Sequence, residues 1–161
     1  MKPIFQSLVV FRIFFSALFS LQAADENARF AKFEKDMSGV KLVGLFTIDG
    51  REGAPTKEEY TILSVKKIGK GDLFLFRARV KYGKTDITLP MPLPIKWAGD
   101  TPVISMDNLS IPGLGTFSAH VVIDGDKYAG TWKHGKVGGH LFGNISRIKI
   151  KEKKQSQEKP E

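Results

Sequence analysis

Residues 117–134 read FSAHVVIDGDKYAGTWKH, and their two-residue period decides the fold class. Phe117, Ala119, Val121 and Ile123 recur at every second position, which puts them on one face of an extended chain. Asp124-Gly125-Asp126 follows, and Asp-Gly tolerates the positive φ that a tight hairpin needs. Lys127 to His134 then returns as a second strand, with Tyr128, Gly130 and Trp132 sharing a face. Two apolar faces joined by so short a turn predict an antiparallel pair.

The same period extends outward in both directions. Phe74, Phe76, Ala78, Val80 and Tyr82 alternate with Leu75, Arg77, Arg79 and Lys81. A strand from Tyr60 to Ile68 precedes them across Gly69-Lys70-Gly71-Asp72. Beyond residue 134 a glycine-rich turn leads into a strand from His140 to Ile150. Val40 to Ile48, a broken strand over Asp86 to Trp97, and Val103 to Ile111 bring the total to about eight, joined by short turns. The prediction is an all-β domain over residues 40–150, a single antiparallel meander forming a barrel-like sheet, closed or open, or a sandwich. Asp25 to Met37 carries Phe30, Phe33 and Met37 at three- and four-residue intervals, a short amphipathic helix ended by Ser38-Gly39. Residues 25–39 thus lead into the domain, and the helix is expected to cover an end or edge of the sheet.

Pro90, Pro92 and Pro94 alternate in TLPMPLPIKW. Alternate amides of an extended chain point to the same side, so this stretch lacks successive donors on that side and can pair only on the other. The sheet is expected to open or bend sharply there. A polyproline ligand is the functional alternative.

The chain begins with a different composition. Lys2 and Arg12 are the only charges before Asp25, and IFFSALFSL (13–21) precedes Gln22-Ala23-Ala24. Basic start, short apolar run and small residues are the layout of a secretion signal over residues 1–23, cleaved after Ala23 or Ala24. The apolar run is too short for a bilayer span of about 20 residues. Export to the periplasm or the exterior is expected, with no membrane-spanning segment afterwards. The chain has no cysteine, so an exported domain must hold itself by its core. The formal charge of +8 is concentrated at the ends. Between Asp25 and Ser146 there are 17 basic and 14 acidic residues, and no nucleic-acid partner is implied. Residues 151–161 are charged, lack aromatics and are expected to form a solvated tail.

Chemistry-bearing motifs are scarce. His120, His134 and His140 are the three histidines; strand parity sets His120 opposite Phe117 and Ala119, and His134 with Trp132, so no zinc site is assigned. Asp124 and Asp126 flank a glycine, but the closing Glu of a calcium loop would fall at Gly135. Glu58 with Glu59, and Asp49 with Glu52, raise a two-carboxylate hydrolase, yet each lies near a predicted strand end and is expected in a solvated turn. There is no nucleophile elbow or phosphate loop, and no catalytic residue, metal or cofactor is predicted.

KYAGTWKHGKVGGHLFG (127–143), with IDGDKY ahead of it and KWAGDTPVISM (96–106) further back, resembles a segment of uncharacterised secreted bacterial proteins, which implies export and no particular activity. Gly130-Thr131-Trp132 is similar to the Gly-X-Trp signature of lipocalin-like barrels, although there it sits on the first strand. That resemblance implies a barrel whose mouth holds a small apolar molecule. Trp97, Tyr128 and Trp132 are the candidate ligand-binding residues. The expected function is a non-catalytic binding module for a small apolar ligand. The alternatives are an envelope interaction protein without a small ligand, meeting a macromolecule through the proline edge or the tail, and a hydrolase or metal enzyme.

Overall fold

The computed structural model describes residues 25–148. The expected secretion signal (1–23) and the expected solvated tail (151–161) lie outside the described residues. Helix α1 spans residues 25–37. Eight strands follow: β1 (Val40–Phe46), β2 (Thr56–Lys67), β3 (Leu73–Tyr82), β4 (Thr85–Ala98), β5 (Thr101–Ile111), β6 (Gly115–Asp124), β7 (Lys127–His134) and β8 (Val137–Arg147). Each pairs antiparallel with the next, and β1 pairs with β8, closing a barrel. Among the described residues no helix is long and apolar enough to cross a membrane.

Alternation places the core. Phe74, Phe76, Ala78 and Val80 of β3 are buried, as are Val121 and Ile123 of β6 and Tyr128 of β7. The β6–β7 hairpin closes with Asp124 opposite Lys127, and Gly125 carries a φ of 57°, the left-handed conformation anticipated for this turn. Strand β2 changes phase once. Ile62 pairs with Ala78 but Ser64 with Arg77, so Leu63 is the extra residue of a bulge. Glu58, Tyr60 and Ile62 therefore face inward before the bulge, and Val65 after it.

The proline stretch departs from expectation in one respect. It is neither broken nor a polyproline helix; β4 runs continuously and the barrel closes. Its pairing is nevertheless one-sided over ten residues. Thr85 to Pro94 are all in register with β3, while β5 joins only Ile95 to Ala98. The Ile95 amide donates to Asp72 O at 2.8 Å on the β3 side. By alternation Pro90, Pro92 and Pro94 turn their missing donors toward β5, where no ladder is required of them. Leu89 and Leu93 point inward instead.

Helix α1 closes the barrel end where the β2–β3 and β4–β5 turns lie. Phe30, Phe33 and Met37 are buried in the same core as Phe74 and Phe76. Phe33 meets Phe74 edge-on at 5.2 Å and Phe76 at 6.1 Å. The junction is held by polar contacts at the helix C-terminal half. The Lys67 amide donates to Glu34 Oε1 at 2.5 Å, the Val65 amide to Ser38 Oγ at 2.8 Å, and Arg147 Nη1 to Ser38 O at 2.8 Å. The amide donated by Lys67 is the main reason the Glu34 carboxyl is held below its ordinary range.

Candidate functional site

The barrel is not packed solid. An interior cavity of about 390 Å³ runs from Met37 under the helix to Ile48, Leu114 and His134 at the opposite end. An eight-stranded barrel encloses about this much: enough for its own side chains or for one small ligand. The walls are aliphatic and aromatic, with Leu42, Phe46, Ile62, Phe76, Met91, Met106, Phe117 and Leu141 contributing. Among the described residues the polar ones on the wall are few: Glu58, Tyr60, Ser118, Tyr128, Trp132 and His134.

Glu58 is the centre of that polar set. It was expected in a solvated turn, yet it is 4% exposed. Strand β2 begins at Thr56, four residues earlier than its apolar pattern suggests, so Glu58 takes the inward phase of Tyr60 and Ile62. The Tyr60 hydroxyl donates to Glu58 Oε2 at 2.8 Å and the Tyr128 hydroxyl to Oε1 at 2.9 Å. Burial pushes the Glu58 carboxyl above its ordinary range, and the two phenol hydrogen bonds oppose that shift. Burial, then the neighbouring Glu58, push the Tyr128 phenol far above its ordinary value, so it remains a protonated donor. Among the described residues no lysine or arginine lines the cavity.

Tyr128 reaches Glu58 because the barrel wall is thinned beneath it. Gly44 of β1 and Gly143 of β8 are direct cross-strand partners. A Cβ on Gly143 would lie 2.8 Å from Tyr128 Cε1, and one on Gly44 would overlap the Tyr128 hydroxyl oxygen and Phe142 O. The pair leaves a bare strip on which the phenol ring lies. Trp132, from the same face of β7, donates through Nε1 to Thr47 O at 3.1 Å and meets Phe46 edge-on at 5.5 Å.

Of the three residues grouped as ligand-binding from the sequence, the structure brings Tyr128 and Trp132 to one cavity. Trp97 is elsewhere. It sits under α1, edge-on to Phe33 at 5.6 Å, with the Arg29 guanidinium 4.7 Å over its ring. Parity sends it inward, but the helix occupies that end. The Gly130-Thr131-Trp132 triplet lies on the seventh strand. The histidines are dispersed: His120 is outside, 3.4 Å from Asp107, His140 is exposed, and His134 stacks on Phe117 at 4.2 Å on the cavity rim. Among the described residues no three histidine or carboxylate groups are placed to hold a metal. The site residues that sequence reasoning missed are Glu58 and Tyr60; the i, i+2 spacing of Glu58, Tyr60 and Ile62 was the available signal.

Compared with protein-family models, with curated proteins and with solved structures, the chain matches none.

Proposed function

We propose that this protein is an exported, non-catalytic binding module that holds one small, mainly apolar molecule inside its barrel. One observation carries the reading: a cavity of about 390 Å³, apolar over nearly all of its wall, in a barrel closed at one end by a helix. Pockets of roughly 300–1,000 Å³ with a few placed polar groups are the usual form of small-molecule sites. At the ~30 Å³ that a water-sized group occupies, the volume suits a ligand of roughly a dozen non-hydrogen atoms. The gain comes from releasing water from apolar walls, about 25 cal/mol per Å² of surface covered.

The test uses Trp132, which lines the cavity, as reporter, in a Trp97→Phe background that removes the other tryptophan. Titration with 1-nonanol is expected to give a saturable change in emission. Ala119, also on the wall, is small enough to be enlarged. Ala119→Leu is expected to weaken the response at least tenfold by filling the space. Absence of any saturable change with 1-nonanol overturns the reading.

A further inference from the structure

We infer that Glu58, Tyr60 and Tyr128 form a head-group site inside the cavity, and that its ligand is an apolar amine whose ammonium group docks on the Glu58 carboxylate. The inference rests on the binding-module reading and adds the ligand's chemical class.

Three observations carry it. The carboxylate is almost fully buried, yet it lines the cavity. Among the described residues its partners are both neutral: one phenol hydroxyl on each oxygen, at 2.8 and 2.9 Å. Neither supplies a positive charge, and among the described residues no lysine or arginine lines the cavity. A buried carboxylate without a counter-charge is costly, and one cation in contact recovers much of that cost. The hydrogen-bond directions agree. Both phenol hydrogens are spent on Glu58, so the pole presents acceptor oxygens. A carboxylate ion accepts up to about four hydrogen bonds, and two are used by the tyrosines. An ammonium brings three donors and a charge; an alcohol brings one donor, and a fatty carboxylate none. The apolar walls then take the hydrocarbon part. Tyr128 is held against Glu58 by the Gly44–Gly143 strip, so the pole is built before any ligand arrives.

The experiment compares nonylamine, 1-nonanol and nonanoate by calorimetry on the mature protein and on Glu58→Gln. At pH 7.5 nonylamine is expected to bind at least tenfold tighter than 1-nonanol, and nonanoate weakest. Glu58→Gln is expected to remove the preference for the amine, bringing nonylamine to within about threefold of 1-nonanol measured on the same variant. A second measurement does not depend on the variant folding. Nonylamine affinity should fall severalfold from pH 7.5 to pH 4.5, as Glu58 takes up its proton, with 1-nonanol unchanged. Among the described side chains, those that contact Glu58 are Tyr60 on its own strand and Tyr128 on β7, and neither is a cationic group. His134 lines the same cavity, so the pH series is repeated in His134→Gln, where the fall should persist. Equal binding of amine and alcohol, or tightest binding of nonanoate, overturns the ammonium site and leaves the cavity reading standing. No binding of any of the three overturns both.

Discussion

Tyr128 shows how much of this barrel depends on residues that have no side chain. Its ring lies on the Gly44–Gly143 pair and its hydroxyl ends on Glu58. Gly44 is not in a left-handed conformation, so alanine there meets no backbone strain. What it meets is the carbonyl of Phe142 and the tyrosine hydroxyl. A carbonyl in a β-ladder cannot step aside as a flexible side chain can, so the β1–β8 seam must open. Gly44→Ala is therefore expected to destabilise the protein by about 2–4 kcal/mol, in the range of overpacked cores and broken buried networks. Urea denaturation measures it; a loss under 0.5 kcal/mol, on the scale of ordinary surface substitutions, would mean the wall is not sealed as described. Glu58 was misplaced from sequence because two adjacent glutamates at a strand start look like a turn. Only one of them has the parity of Tyr60, and Glu59 instead reaches Lys41 at 2.9 Å on the outside.

At the level of elements, α1 is part of the core. Phe33 is buried to 4% and touches Phe74, Phe76 and Trp97. Removing its ring leaves a void between rigid strands that cannot close. Phe33→Ala is expected to cost about 3–5 kcal/mol, the usual range for a buried phenylalanine, and to expose the cavity at that end. Thermal melting gives the first effect, and faster release of 1-nonanol would give the second. The helix was legible from the spacing of Phe30, Phe33 and Met37. Its position over the barrel end was expected only as one of two choices, end or edge, because periodicity defines a face and not what meets it. Strand β4 carries the opposite lesson. Three alternate prolines did predict one-sided pairing, and Thr85 to Pro94 pair with β3 alone. The sheet still closes, because four residue pairs beyond the prolines, Ile95 to Ala98 against Ile104 to Thr101, join β4 to β5.

For the whole molecule, two carboxylates set opposite dependences on pH. Glu58 has a raised folded value, so the folded state keeps a proton that the unfolded chain has released. Its contribution is most favourable below the ordinary value of 4.5 and is lost as pH rises through the folded value. Glu34 has a lowered value, so its stabilisation of the helix junction is present above 4.5 and is lost as pH falls through the folded value. Glu58→Gln removes the first dependence only. The variant is expected to melt a few degrees above the parent at pH 7, equivalent to about 1 kcal/mol, with the gap shrinking toward pH 4. Melting curves at pH 4, 5.5 and 7 check it, and a gap independent of pH would show that burial of the charge is not its origin.

Strand identity, the turn at Asp124-Gly125-Asp126, the inward rows of β3, β6 and β7, and the one-sided edge of the prolines were all determined by the sequence alone. Each follows from local rules: side chains alternate along an extended chain, glycine accepts positive φ, and proline lacks an amide hydrogen. The tertiary structure decided whether the sheet closes, which end α1 covers, that Trp97 serves the cap while Tyr128 and Trp132 serve the cavity, and that Glu58 lies inside. Those outcomes depend on strand tilt, on the Leu63 bulge that shifts the phase of β2, and on which residues from distant strands share a level in the barrel. No local pattern encodes them, because each is a relation between segments that meet only after the chain has folded.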